Sequence, residues 1–460
     1  AQRVSDAALT TSAAGDWLFD TLIVDEAQDF EAGWFDIVRL FLRDDASILW
    51  LEDPNQNVRG VTDAKAFVEE VGFPMVLKPP AGFGAKGTYR IRSLAELGGY
   101  LVDKRQLDWV HDILMKAADG APDLPDVSYQ LARFYRAMEQ PRLEQQWLSS
   151  ALLMMDSREG SRTIRDVEMQ IDARTRLGEM YYEQEQYLDA SRELRTAVTL
   201  VEKQVQSGVI TAEMRQRQPR LGRLLGRPYA KLADISYYIE GDLATAADGY
   251  QTAAAYGYAG PEIDYKLGYI RYATGDWLDA LKSFTSAEQG LARAAFAAPG
   301  DEAVGARAAS SPGRAPINLL FAQGNAFYRR GDLFAAQGSW LRVLEAVETR
   351  IAAIEELSPL TRPDHRALLE YRLKADNNLG VATAQLAGRM GDRRRTSEAL
   401  VYLASAAETA DMLARAPETL VATEAKSLPA LNMRGVLYPL ADFELQIYKA
   451  IPKDLEATSF

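Results

Sequence analysis

The chain contains no cysteine, which excludes disulfide bonds and metal sites built from thiolates. Histidine is scarce as well, because His111 and His365 are the only two and neither has a neighbour at a metal-ligand spacing. Any bound metal is therefore expected to be a hard cation held by carboxylates or by phosphate. The sequence also lacks a run of roughly 18 apolar residues, the length that a membrane-spanning helix needs. No membrane span is predicted.

Basic residues are outnumbered: 52 Lys and Arg against 65 Asp and Glu give a net charge of −13. The imbalance is strongest in residues 1–60, which hold 4 basic and 12 acidic side chains. An acidic surface repels phosphate backbones, so nucleic acid is not an expected partner. The 460 residues suffice for several domains or for one long array of repeats.

A helical pattern with recurring small residues fills most of the chain. Residues 172–201 predict two antiparallel helices, the first with Leu177, Gly178 and Tyr181 on one face. Small residues take the same place in six segments, at Ala132, Gly178, Ala233, Gly268, Gly324 and Gly380. This pattern resembles the tetratricopeptide (TPR) repeat over residues 126–410.

The TPR resemblance implies a mostly α fold, namely a TPR-like α-solenoid of about six helix pairs in residues 106–426. A C-terminal helix and cap are expected in residues 427–460. Such a solenoid is expected to bind a protein or peptide partner in its groove. The oligomeric state stays open.

A Gly-Asp pair recurs four times between the paired helices, at Gly241-Asp242, Gly275-Asp276, Gly331-Asp332 and Gly391-Asp392. Glycine adopts the left-handed conformation readily, and aspartate is a favourable first cap of a helix. The pair therefore predicts a tight turn between two antiparallel helices.

The N-terminal region is predicted to be small and α/β. Short runs of strand-forming residues lie at residues 18–24, 47–51, 73–79 and 88–91, with amphipathic helices at 32–42 and 62–71 and a further helix from Ser93. The patterns divide this region into a segment 1–60 and a segment 61–105.

Residues 18–60 carry carboxylates directly after an apolar strand. The string VDEAQDF and the later DPNQ resemble motifs II and III of UvrD-like superfamily 1 DNA helicases. The resemblance implies that Asp25 holds Mg²⁺, that Glu26 is the catalytic base, and that Asp53 and Gln56 form the motif III-like element. The phosphate-binding loop GxxxxGK[ST] of such ATPases is absent from the sequence.

Residues 62–100 contain a strand that ends in Lys78, followed by a glycine-rich loop. Glycines let backbone N–H groups approach an anion, and a lysine supplies charge. The stretch is similar to the ATP-grasp family of carboxylate–amine ligases, which implies that Lys78 contacts nucleotide phosphates. The loop residues implied to cover the phosphates are Gly82, Gly84, Lys86 and Gly87.

Two functions follow from these patterns. The first is a non-enzymatic TPR scaffold or adaptor within a larger assembly, with no cofactor. The alternative is an ATP-binding enzyme, either ATP-grasp ligase-like or a helicase-related ATPase, that uses ATP and Mg²⁺ and carries an appended TPR array. The scaffold is favoured because essential parts of both nucleotide sites are missing. Two unrelated nucleotide signatures in one chain also indicate a possible chimera.

The compartment depends on the same N-terminal region. If residues 1–105 are native to the protein, their nucleotide signatures indicate the cytoplasm. The alternative compartment is the bacterial periplasm, which a cysteine-free chain permits.

Overall fold

The structure is a computed structural model. It describes residues 19–24, 42–50, 75–77, 89–91, 93–103, 107, 110–120, 124–157, 163–296, 316–357, 362–414, 423–438 and 444–450. The chain divides into two compact units, residues 1–186 and 187–460, and each unit is described by itself.

Four short strands of the first unit form one sheet. They are β1 (Phe19–Val24), β2 (Leu42–Trp50), β3 (Met75–Leu77) and β4 (Tyr89–Ile91). β1, β2 and β3 pair in parallel in that order, and β4 is antiparallel to β3. All four predicted strands are confirmed. The helix predicted over 32–42 is wrong at its end, because Leu42 already pairs with Phe19 in the parallel ladder.

The first unit continues, in the part that the structure describes, with five helices. They are α1 (Leu94–Asp103), α2 (Val110–Gly120), α3 (Pro125–Ala137), α4 (Pro141–Ser157) and α5 (Ile164–Glu183). The helices α1, α2 and α3 share one core, and α3, α4 and α5 share a second. Thus α1 and α2 form a helix pair ahead of the six pairs that were predicted.

The second unit is helical throughout its described residues, apart from its turns and residues 444–450. Its helices are α6 (Tyr187–Gln206), α7 (Ala212–Arg217), α8 (Pro219–Ile235), α9 (Leu243–Tyr256), α10 (Pro261–Thr274), α11 (Trp277–Phe296), α12 (Ile317–Arg330), α13 (Leu333–Leu357), α14 (Arg362–Met390), α15 (Arg393–Ala414) and α16 (Thr423–Leu437). Successive helices pack as pairs: α8 with α9, α10 with α11, α12 with α13, and α14 with α15. The predicted TPR-like solenoid of helix pairs is confirmed.

Glycines at the predicted small-residue positions allow the paired helices to approach closely. A Cβ atom added at Gly268 would lie 2.6 Å from the ring of Phe284, and one at Gly324 would lie 2.4 Å from Nε1 of Trp340. Both aromatic side chains are fully buried on the second helix of the pair. Any larger residue would therefore force the buried aromatic side chain or its helix to shift.

The turns between paired helices confirm the Gly-Asp prediction. The four glycines have left-handed φ angles of 70°, 90°, 89° and 64° at Gly241, Gly275, Gly331 and Gly391. The carboxylate of Asp242 accepts a hydrogen bond from the backbone N–H of Thr245, which caps α9. In the first unit, Glu139 (φ 55°) and Glu185 (φ 60°) adopt the same left-handed conformation between their helices. That use of glutamate was not predicted.

Candidate peptide-binding groove

The last described part of the chain, residues 444–450, is neither helix nor strand and lies against the helices of the second unit. We call it the tail segment. Ile447 and Ala450 are buried and belong to the hydrophobic core that spans α10 to α14. Gln446 and Lys449 are exposed. The tail segment therefore fills a groove between these helices. Ile447 and Ala450 point into the groove, whereas Gln446 and Lys449 face away from it.

Four fully buried asparagines line this groove: Asn325 on α12, Asn377 and Asn378 on α14, and Asn432 on α16. We call them the amide ladder. Asparagine is a poor helix former, and a buried amide without hydrogen-bond partners is costly. These amides are satisfied largely by the main chain of the tail segment and by one another.

The first binding position of the amide ladder is Tyr448. Its backbone N–H donates to Oδ1 of Asn378 at 2.7 Å, and its carbonyl accepts from Nδ2 of the same residue at 3.0 Å. The same carbonyl also accepts from Nδ2 of Asn325 at 2.9 Å. Both polar groups of one backbone unit are thus bound by side-chain amides.

The second binding position is Gln446, where the arrangement repeats. Its N–H donates to Oδ1 of Asn432 at 3.0 Å, and its carbonyl accepts from Nδ2 of Asn432 at 2.8 Å and from Nδ2 of Asn377 at 3.1 Å. Positions two residues apart point the same way only in an extended chain. The ladder therefore binds the tail segment as a neighbouring strand would bind a sheet edge.

Further hydrogen bonds fix how the amides point. Trp340 donates from Nε1 to Oδ1 of Asn325 at 3.1 Å, and Asn432 donates from Nδ2 to Oδ1 of Asn377 at 2.9 Å. The oxygens of Asn325 and Asn377 are occupied in this way, so the NH₂ groups of these two residues face the carbonyls of the tail segment. Two of the four amides are thus oriented by side chains outside the tail segment.

One ionisable side chain lies next to the ladder in sequence and serves another contact. Asp376 on α14 is buried and accepts a hydrogen bond from the hydroxyl of Ser405 on α15 at 2.7 Å. Burial raises the pKa of Asp376 to about 6, against the opposing effects of Ser405 and of Arg372. Its contact joins α14 to α15.

A buried charged cluster joins α8, α9 and α10. Asp234 accepts hydrogen bonds from the hydroxyl of Tyr250 and from Nζ of Lys266, both at 2.8 Å. Nζ of Lys266 also lies 3.1 Å from a carboxylate oxygen of Glu262. Burial and the neighbouring Asp234 raise the pKa of Tyr250 far above its ordinary value. Each charge has an opposite charge beside it, so the cluster holds the helices together.

A second charged cluster joins α3, α4 and α5 in the first unit. Glu144 is 2% exposed and accepts from Nε of Arg136 at 2.6 Å and from Nε of Arg176 at 2.8 Å. Burial alone would raise the pKa of Glu144, but the hydrogen bonds and charges of the two arginines outweigh it and hold that pKa below its ordinary value.

The predicted nucleotide-site residues all lie outside the described residues: Asp25, Glu26, Asp53, Gln56, Lys78, Gly82, Gly84, Lys86 and Gly87. Their roles stay predictions. The described strands do show that Val24, Trp50 and Leu77 are register partners, so β1, β2 and β3 end at one edge of the sheet. Within the described ranges, no group of three His, Asp or Glu side chains is arranged to hold a metal ion. None of the described helices is long and apolar enough to cross a membrane.

The amide ladder does not follow from the sequence pattern. A signal was present, since Asn325 directly follows the small-residue position Gly324, and Asn377-Asn378 stands within one turn of Gly380. Asparagine in the middle of a helix, beside a packing position, indicates a buried amide with a specific partner. The partner itself lies far away in the sequence.

No family model and no curated protein matches the sequence. Among solved structures, the chain is similar to the pilF protein of Pseudomonas aeruginosa, with 16% identity over 55% of this chain and 90% of that chain and a TM-score of 0.38. It is also similar to the MamA protein, with 15% identity over 50% and 94% of the two chains and a TM-score of 0.32. The C-terminal part of a TPR repeat-containing protein from Cytophaga hutchinsonii gives 11% identity over 72% and 97%, with a TM-score of 0.39. Because these TM-scores lie below 0.5, the fold is assigned from the helix pairs and turns themselves.

Proposed function

We propose that this protein is a non-enzymatic scaffold of the TPR type, which binds an extended segment of a protein partner along the amide ladder. One observation carries the proposal. Asn378 and Asn432 each bind the N–H and the carbonyl of one backbone unit, at Tyr448 and at Gln446. Such binding uses atoms that most residues share, so it suits segments of varied sequence.

The experiment uses the full chain with its groove opened. Ile447→Asp places a charge in the buried position of the tail segment and should release that segment. A fluorescent synthetic peptide with the sequence of residues 440–453 is then titrated, and its anisotropy is measured. Saturable binding to the opened chain is expected.

The control separates the ladder from the rest of the surface. Adding Asn378→Ala to the opened chain removes the amide that binds Tyr448 twice, so peptide affinity should fall by about tenfold or more. Adding Gln289→Ala, which removes an exposed amide on α11, should leave affinity unchanged. Absence of peptide binding, or equal loss in both variants, would contradict the proposal.

The second candidate function is nucleotide binding at the edge of the N-terminal sheet. It is supported by the common edge at which Val24, Trp50 and Leu77 end, since open parallel sheets bind ligands beyond the carboxyl ends of their strands. Asp25 directly follows Val24 in the sequence, and Lys78 directly follows Leu77.

A thermal shift with Mg-ATP tests this second candidate. Ligand at about 100-fold over its dissociation constant should stabilise the protein by roughly 2.7 kcal/mol. The shift should be lost in Lys78→Ala if Lys78 contacts the phosphates. No shift in the wild type, or an equal shift in the variant, would dismiss nucleotide binding at this edge.

A further inference from the structure

We infer that the tail segment is an internal competitor for the amide ladder, which a partner must displace with an extended segment carrying an aliphatic residue and, three positions later, a small one. The inference rests on the proposed function, because it assumes that the ladder binds a partner. It adds which chemistry the partner segment has and how access to the groove is regulated.

The side-chain pattern follows from burial in the tail segment. Ile447 is 9% exposed and Ala450 is 8% exposed, so the groove accepts a branched aliphatic side chain and then a small one. Gln446 and Lys449 are exposed, and Tyr448 is half-buried. Leu445 is partly buried as well, and both it and Tyr448 pack against the same core. The groove therefore selects most strongly at the two buried positions and leaves the two exposed positions free.

The main-chain bonds add one restriction. The N–H groups of Gln446 and Tyr448 both donate to ladder amides. Proline has no N–H, so a partner segment cannot carry proline at either of these positions. Any other residue supplies the same donor and acceptor there, and this is why a foreign segment can replace the tail segment.

The linkage to the array gives the tail segment an advantage. The tail segment belongs to the same chain as the helices that it contacts, and such tethering gives a segment an effective concentration on the order of 1 mM at its own site. If the free segment bound with a dissociation constant of about 100 μM, the groove would be filled about ten times as often as it is open. A partner would then bind the wild-type chain about tenfold more weakly than the opened chain.

The experiment compares the wild type, Ile447→Asp and Lys449→Ala, each as the full chain, with the labelled peptide of residues 440–453. We expect the peptide to bind the Ile447→Asp chain about tenfold more tightly than the wild type. Lys449→Ala, which changes an exposed residue of the same segment, should match the wild type. Ala450→Glu is a second opening variant and should match Ile447→Asp.

The peptide itself is varied in the same assay. In the peptide, Ile447→Asp and Tyr448→Pro should each weaken binding to the opened chain, and Lys449→Ala should not. If wild type and opened chains bind the peptide equally, the tail segment is not a competitor, although the groove still binds segments. If neither chain binds it, the proposed function fails as well.

The remaining alternative is that the tail segment occupies the groove of a second copy of the chain. Light scattering on the wild type over a wide range of protein concentration tests it. A monomer at all concentrations is expected. A concentration-dependent dimer that Ile447→Asp abolishes would show the tail segment in the groove of a second copy, and it would overturn internal competition.

Discussion

Two buried polar clusters, one in each unit, satisfy their groups in different ways. Glu144 in the first unit is held by two arginines on neighbouring helices. The amide ladder in the second unit is neutral, and its partners are main-chain groups of the tail segment. A buried charge needs its own opposite charge, whereas an amide accepts any backbone unit of the right geometry. The ion cluster therefore depends on particular charged side chains of its helices, whereas the ladder binds groups that every residue except proline carries.

The largest effect is expected from breaking the ion cluster. Glu144→Gln removes the buried carboxylate that the two partly exposed arginines share, although Arg176 keeps Glu179 and Glu183 beside it. It should destabilise the first unit by about 3 kcal/mol, the lower end of the cost of breaking a buried ion pair. Because the pKa of Glu144 is lowered in the fold, its contribution is present above the ordinary glutamate pKa and is lost as pH falls through the folded pKa.

Urea unfolding at neutral and at acidic pH measures this difference. The matched control is Glu183→Gln, which removes a carboxylate that is 62% exposed and lies 3.3 Å from the same Arg176. The control should change stability by less than about 0.5 kcal/mol. If the two substitutions lowered stability equally, the buried carboxylate of Glu144 would contribute no more than the exposed one of Glu183, and the prediction would be contradicted.

The buried carboxylate of Asp376 in the second unit should give stability the opposite dependence on pH. The folded pKa of Asp376 is raised to about 6, so the folded state binds a proton more tightly than the unfolded chain. Wild-type stability therefore falls as pH rises between about 4 and 6 and stays reduced above that window. Asp376→Asn should add on the order of 2 kcal/mol at neutral pH and little near pH 4. Thermal melts at both pH values test this, and a gain independent of pH would contradict it.

Close helix packing in the second unit gives the next effect. Gly268→Leu would force a side chain against Phe284, where even a Cβ atom would lie 2.6 Å away, and should cost roughly 1–3 kcal/mol. The control Gly338→Leu lies on the exposed face of α13, with nothing within 4 Å of its Cβ position, and should stabilise by a few tenths of a kcal/mol. Circular dichroism melts compare the two, and an unchanged midpoint in Gly268→Leu would refute the packing role.

The smallest effect is expected at the turns between paired helices, where the first unit has glutamate and the second has glycine at the left-handed position. Glu139→Gly relieves a left-handed conformation that costs a non-glycine residue about 1 kcal/mol, while glycine adds freedom to the unfolded chain. A net gain of about 0.5 kcal/mol is expected. The reverse substitution in the second unit, Gly275→Glu, should destabilise by a similar or larger amount. Urea midpoints of both variants give the answer, and changes of the same sign would contradict the shared turn geometry.

The helix pairs could be predicted because their signals are local. The spacing of small and aromatic residues identifies a helix face, and a glycine such as Gly331 marks a left-handed turn. The turns at Glu139 and Glu185 escaped prediction because backbone bonds and packing, and not residue preference, impose that conformation there. In the N-terminal sheet the strands were predicted, but their common edge depends on pairing that no single strand reveals.

The amide ladder could not be predicted because its partners are distant in sequence. Asn325 binds the carbonyl of a residue 123 positions later, and Asn377 binds one 69 positions later. Nothing in the local pattern of either helix shows what will cover its buried amide. The nucleotide signatures differ from the ladder in this respect. Their sequence patterns are clear, but their residues lie outside the described part of the chain.

Hydrogen exchange at the tail segment tests the central claim most directly. The amides of Gln446 and Tyr448 donate to the ladder, so they should exchange more slowly than those of Ile447 and Lys449. An excess of unlabelled peptide of residues 440–453 should accelerate exchange at both slow positions. Uniformly fast exchange across the tail segment, or slow exchange that the peptide leaves unchanged, would contradict a groove that binds an exchangeable main chain.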